Sequence, residues 1–151
     1  MDAAEWAAPR IAILAHGRIL DLGCGDGRFL PPNGIGVDLD LDRLRVARVR
    51  SAKLVQADAH ALPFDDATFD TVLANRMLNA AGQVDAVLRE AVRVLTPEGT
   101  LVVLTRARQR PEADRLDPEN GATRLAQHFA EVTVERAADA ALFSATRSRG
   151  R

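Results

Sequence analysis

The run ILDLGCGDGRFL at residues 19–30 begins as a short apolar stretch and passes directly into glycines at positions 23, 25 and 27. Three residues of Ile and Leu around one Asp suit a strand buried on both faces. Glycines at alternate positions permit a sharp turn at the strand's carboxyl end. They also let a ligand approach the main chain with no Cβ in the way. A tight turn with no ligand is the plainer alternative, and glycine-rich turns also serve dinucleotide enzymes. A dinucleotide fingerprint, however, needs a small residue at the position held by Arg28, which counts against a nicotinamide cofactor. No G-x-x-x-x-G-K-[ST] occurs, and the one lysine, Lys53, lies far from the glycines, so a phosphate-cradling loop is not indicated.

Further Ile, Val and Leu runs follow at Ile35 to Asp38, Lys53 to Ala57, Phe69 to Ala74 and Thr100 to Thr105, and the first run spans Arg18 to Leu22. The fifth run comes after the loop Thr96-Pro97-Glu98-Gly99, where Pro and Gly stop a helix and turn the chain. Asp40 is placed to cap a helix reaching about Arg50. Val84, Val87, Leu88, Ala91 and Leu95 form an apolar stripe at three- and four-residue spacing, which predicts a helix facing a sheet over Val84 to Leu95. Strand and helix alternate, the pattern of a sheet covered on both faces. A short helix near Ala122 to Phe129 precedes Glu131 to Arg136 and Ala141 to Arg147, two strands close enough in sequence to pair only antiparallel.

Composition narrows the function. A chain of 151 residues fits one domain, 1–151, and 47% apolar content with no long apolar window predicts a globular protein with no membrane span. The start of the chain lacks the marks of a secretory signal, which suggests the cytoplasm. One cysteine and three scattered histidines offer no metal-ligand spacing. Net charge of -1 and the absence of Tyr argue against nucleic acid as partner, although arginines cluster at 43–50, 106–110 and 147–151.

The second strand ends at Asp38, fifteen residues after Gly23. A carboxylate at the tip of the strand beside a glycine loop can accept hydrogen bonds from both hydroxyls of a ribose. Since Asp40 already serves as helix cap, Asp38 is expected to remain available for a ligand.

ILDLGCGDGRFL, GIGVDLD, LVQADAHALPFDDATFDTVLANRML and LREAVRVLTPEGTLVVL, in this order over Ile19 to Leu104, resemble the class I S-adenosylmethionine-dependent methyltransferases. The likeness is to the small-molecule group that includes the ubiquinone and menaquinone methyltransferases. It implies a Rossmann-like α/β sheet of order three, two, one, four, five, seven, six with the seventh strand antiparallel. It implies S-adenosylmethionine as cofactor and a small-molecule methyl acceptor. By the same likeness Asp21 helps hold the methionine ammonium group and Gly23, Cys24, Gly25 and Gly27 form the loop beneath the cofactor. Asp38 takes the ribose, Leu39 covers the adenine, Asp58 accepts from the adenine amino group, and the Ala59 N–H faces the ring. Ala74 and Asn75 lie toward the methionine end and the acceptor.

Methyl transfer from a sulfonium depends mainly on alignment, so few catalytic side chains are expected. Asn75, Arg76 and Asn79 are candidates to orient an acceptor, with a plain loop role as the alternative for the last two. His60 is a candidate base, and a structural role is the better-supported reading for it. Cys24 is read as packing rather than as a reactive thiol. Two segments depart from the family pattern. Pro31-Pro32 leaves at most a shortened helix after the first strand, and the segment from Ala107 to Gly121, where relatives carry the lid, is brief. An acceptor, a second subunit or another partner covering the open site, or a catalytically silent cofactor-binding subunit, would each accommodate so thin a lid.

Overall fold

The computed structural model describes residues 1–50, 53–75, 77–80, 82–107 and 114–147. Helix α1 (Ala3–Leu14) precedes β1 (Ile19–Leu22), β2 (Ile35–Asp38), α2 (Leu41–Ala47), β3 (Leu54–Gln56) and β4 (Phe69–Asn75). Then follow α3 (Met77–Ala80), α4 (Val84–Val94), β5 (Leu95–Arg106), α5 (Gly121–Ala126), β6 (Glu131–Arg136) and β7 (Ala140–Thr146). The seven strands form one sheet in the order β3-β2-β1-β4-β5-β7-β6, as expected. β1 pairs in parallel with both β2 and β4, while β7 runs antiparallel to β5 and β6.

Alternation along the central strands sends side chains to two cores. Val72 and Ala74 of β4, with Leu101 and Val103 of β5, pack with Val84, Val87, Leu88 and Ala91 of α4. Leu73, Val102 and Leu104 point the other way, against Ala3, Ala7 and Ile11 of α1. Both faces are therefore covered, which lets the parallel strands be almost wholly apolar. Full burial of each Leu or Val side chain contributes roughly 1.5–3 kcal/mol.

Several local expectations are corrected. Thr96-Pro97-Glu98-Gly99 is a bulge inside β5 and not a loop before it: Leu95 already pairs with Phe69, and the ladder resumes where Thr71 meets Thr100. A bulge tolerates Pro97, which has no N–H to give the ladder. The segment after β1 contains no helix. It is a chain of turns, with Gly27 N–H on the Cys24 carbonyl, Leu30 N–H on Gly27 and Gly34 N–H on Pro31. Gly27 at φ +79° and two consecutive prolines prevent helix propagation. Conversely, α1 runs unbroken through Pro9. A capping box between Asp2 and Glu5 secures its start, its small apolar face is buried, and the Arg10 guanidinium donates to the Trp6 carbonyl at 2.8 Å. Helix α2 ends at Ala47 rather than near Arg50, and α5 ends at Ala126 rather than near Phe129, each closing in turns.

Candidate active site

Parallel strands deliver their carboxyl ends to one edge of the sheet, and a cavity of about 690 Å³ opens there, a size within the usual range for small-molecule sites. Asp21, Gly23, Cys24 and Gly25 line it from β1, Val37, Asp38 and Leu39 from β2, Asp58, Ala59 and His60 from beyond β3, and Asn75 from β4. Gly27 and Ala74 are not among the lining residues. Gly27 packs on helix α2, where an added Cβ would stand 3.2 Å from that of Ala47, and Ala74 is buried in the core against α4. Arg76 lies outside the described residues, as does the side chain of Asn79.

The glycine turn is built for close approach. Gly25, at φ +58°, has nothing within 4 Å of where a Cβ would sit, so its open side is the cavity. Gly23, at φ +65°, is closed by Met77, whose Cβ would lie 2.8 Å from an added methyl. Asp38 also holds the turn in place, an anchoring role that the sequence did not suggest. Its Oδ2 accepts from Gly25 N–H at 2.9 Å and its Oδ1 from Asp40 N–H at 2.9 Å. Asp40 does cap α2, accepting from Asp42 and Arg43 N–H, so one segment holds two carboxylates with separate tasks. Each Asp38 oxygen retains a further lone pair for a ligand.

Asp21 is 1% exposed, and its Oδ1 is buried with no hydrogen-bond partner. Burial first, and then the neighbouring Asp38 charge, push its carboxyl up to about 7. Asn75 Oδ1 is likewise a buried acceptor without a partner. Both line the cavity. Cys24 is buried, and burial first, then Asp21 and Asp38, push its thiol up to about 12, so it remains a protonated packing group.

His60 is not available as a base. Its Nδ1 donates to Asp58 Oδ1 at 2.6 Å and its Nε2 to the Gly82 carbonyl at 2.7 Å. With acceptors facing both nitrogens, neither lone pair can take a proton from a substrate. The Gly82 carbonyl first, and then Asp58, hold the imidazole above its ordinary range, while the His60 N–H and ring lower Asp58. The rest of this loop is tied to α4. Glu90 Oε1 accepts from Leu62 N–H at 2.7 Å, and Arg93 donates to the carbonyls of Phe64 and Leu62 at 2.7 and 3.0 Å.

The sequence reading did not nominate Asp26, Arg28, Phe29, Arg43, Ala57 or Met77, all of which line the cavity. Arg28 stacks on Phe29, 5.5 Å from its ring centre. The pair lies directly after the glycines, and that adjacency is the signal that could have found it. Among the described residues no cluster of His, Cys, Asp and Glu is placed to hold a metal ion, and no helix is long and apolar enough to cross a membrane.

Comparison with known proteins follows the same outline. Residues 20–103 match the methyltransferase domain family. The chain is 36% identical over 120 residues to a demethylmenaquinone methyltransferase of Roseiflexus castenholzii, covering 70% of this chain and 50% of that protein. It is 38% identical over 104 residues to a ubiquinone/menaquinone biosynthesis C-methyltransferase of Pasteurella multocida, covering 58% and 39%. The chain thus spans about half or less of the length of the curated relatives it matches. In fold it resembles a SAM-dependent methyltransferase of Thermotoga maritima, with TM-score 0.82 at 21% identity over 96% of this chain and 88% of that one. With more than half of its length matched to the family and its seven strands in the expected order, the chain belongs to the class I S-adenosylmethionine-dependent methyltransferases.

Proposed function

We propose that this protein moves a methyl group from S-adenosylmethionine to a small-molecule acceptor, using the cavity at the carboxyl ends of β1 to β4. The observation that carries this reading is the buried, unpartnered Oδ1 of Asp21 in the cavity wall. A carboxylate oxygen out of water and without a donor is costly, and a ligand ammonium group would relieve it. Asp26, Asp38 and Asp58 line the same cavity beside Arg28 and Arg43, so four acidic side chains surround a site for a ligand that carries positive charge. The open side of Gly25 gives a flat substituent room against the main chain. These features fit the cofactor of the family.

In this reading Asp21 and the Gly23 main chain hold the methionine end, and Asp38 accepts from the ribose hydroxyls while still anchoring Gly25. Leu39 and Ala59 flank the adenine, and Asp58 accepts from its amino group. Asn75, whose Oδ1 is also unpartnered, orients the methionine end or the acceptor at the tip of β4. When bound, the cofactor supplies an electrophilic methyl on a sulfonium leaving group. The chain's contribution is then alignment and exclusion of water, worth several kcal/mol when reacting atoms are held at near-attack distance. Curated relatives named for quinone methylation support a small-molecule acceptor.

Calorimetry with S-adenosylhomocysteine tests cofactor binding, and methyl transfer from labelled S-adenosylmethionine to a panel of quinols, carboxylic acids and amines tests the reaction. Saturable binding and one productive acceptor class are expected. A protein that binds neither S-adenosylmethionine nor S-adenosylhomocysteine would sink the reading.

A further inference from the structure

We infer that His60 is a positioning residue for the cofactor cavity, a charged strap whose two ring N–H groups join the loop after β3 to the turn before α4. The inference rests on the adenosyl reading of the cavity given above. In the sheet, β3 and β4 are separated by β2 and β1, so the loops that follow them are held to each other by side chains rather than by strand pairing. His60 makes that link, from Asp58 Oδ1 on one side to the Gly82 carbonyl on the other, at 2.6 and 2.7 Å. It lines the cavity itself.

Two acceptors at these distances require both nitrogens to carry hydrogen. A neutral imidazole would turn a lone pair toward one of them, so the strap exists only as the imidazolium. The His60 main-chain N–H donates to the same Asp58 oxygen at 2.9 Å. Both bonds fall on Oδ1, which leaves Oδ2 as the oxygen that meets a ligand. On the far side, Gln83 N–H donates to Asp114 Oδ2 at 2.7 Å, fastening the same turn to the segment after β5. Asp58 and Asp114 are the charged groups facing His60, and both raise its affinity for a proton. The strap therefore holds below the imidazole's raised range and is lost as pH rises through it, loosening the wall beside Asp58 and Ala59.

The test combines two readouts on the full chain. Nitrogen-edited NMR of the histidine side chains, with the His60 signal assigned by its absence in His60→Gln, should show an imidazolium with both N–H groups present and a pKa raised above the ordinary imidazole value. A His60 that titrates at or below the ordinary range overturns the strap. Calorimetry with S-adenosylhomocysteine should show His60→Gln binding about tenfold more weakly than wild type below the titration, with the two converging above it. A ratio that stays constant across pH also overturns the inference, since a merely structural role would not follow the proton. Taking the ratio cancels the titration of Asp21, common to both proteins. If wild type does not bind S-adenosylhomocysteine at all, the adenosyl reading fails, and the NMR titration still decides whether the strap exists.

Discussion

The two ends of the central strands treat their polar groups in opposite ways. At the amino ends of β1 and β4, Asp70 accepts from Arg18 N–H at 2.8 Å, and Thr71 Oγ1 accepts from His16 N–H at 3.0 Å while donating to the His16 carbonyl at 2.8 Å. At the carboxyl ends, Asp21 and Asn75 each bury an acceptor with no partner. Similar residue types in neighbouring strands thus close one edge of the sheet and leave the other chemically unfinished. A buried acceptor without a donor costs about 1–3 kcal/mol, a cost that makes sense at an edge completed by a ligand.

The sharpest way to break this contrast is at Asp21. Its folded-state pKa of about 7 lies above the reference 3.8, so the native state binds this proton more tightly than the unfolded chain does. The associated stability is fully present below pH 3.8 and is lost as pH rises to about 7, amounting to about 4 kcal/mol. Asp21→Asn should remove that loss, so denaturant titration at pH 8 should find it more stable than wild type by up to about this amount. The same variant should bind S-adenosylhomocysteine about 10- to 100-fold more weakly in calorimetry. Equal stability and equal affinity would erase the distinction between the edges.

Gly17 tests the closed edge. It sits at φ +63°, where an added methyl would collide with the Asp70 carboxylate. Gly17→Ala should cost about 2–3 kcal/mol in chemical denaturation and leave ligand affinity unchanged. Gly25→Ala should do the reverse. Its methyl meets no protein atom, so the stability cost is limited to about 1 kcal/mol of left-handed strain, whereas S-adenosylhomocysteine affinity should fall at least about tenfold because the methyl stands in the cavity. The smallest effect is expected away from both edges. Arg10 and Glu135 form an exposed ion pair at 2.9 Å, and Glu135→Ala should change the unfolding free energy from denaturant titration by no more than about 0.5 kcal/mol.

The sequence made the sheet legible because parallel strands buried on both faces leave dense Ile, Val and Leu runs, and β2 agrees to the residue with its run, while the exposed antiparallel edge strand β6 was found, also to the residue, by its alternation of Val with polar residues. The amphipathic α4 was equally plain, although its N-terminus carries no side-chain cap. Less legible was β5, whose first residue, Leu95, belongs to the helical stripe by spacing but to the sheet by pairing. Pro9 concealed the continuity of α1, although Asp2 and Glu5 carry the spacing of a capping box. In the site, Asp21 and Asp38 were readable because strand ends are marked by the glycines that follow or flank them. That Asp38 spends two hydrogen bonds on the main chain was not readable, since both donors come from turns. Nor were Arg43 and Met77, whose long side chains reach the cavity from elements with no motif of their own.

The pairing of β1 with both β2 and β4 also governs when the site can exist during synthesis. Residues 19–38 can form the glycine turn and the Asp38 anchor early, but the strand that flanks Asp21 on its other side runs from Phe69 to Asn75. A nascent chain that has not yet emerged to residue 75 therefore carries half a cleft, with Leu20 and Leu22 lacking their β4 neighbours. Ligand competence should appear late and abruptly in a series of ribosome-stalled lengths, because the closing contact spans about fifty residues of chain.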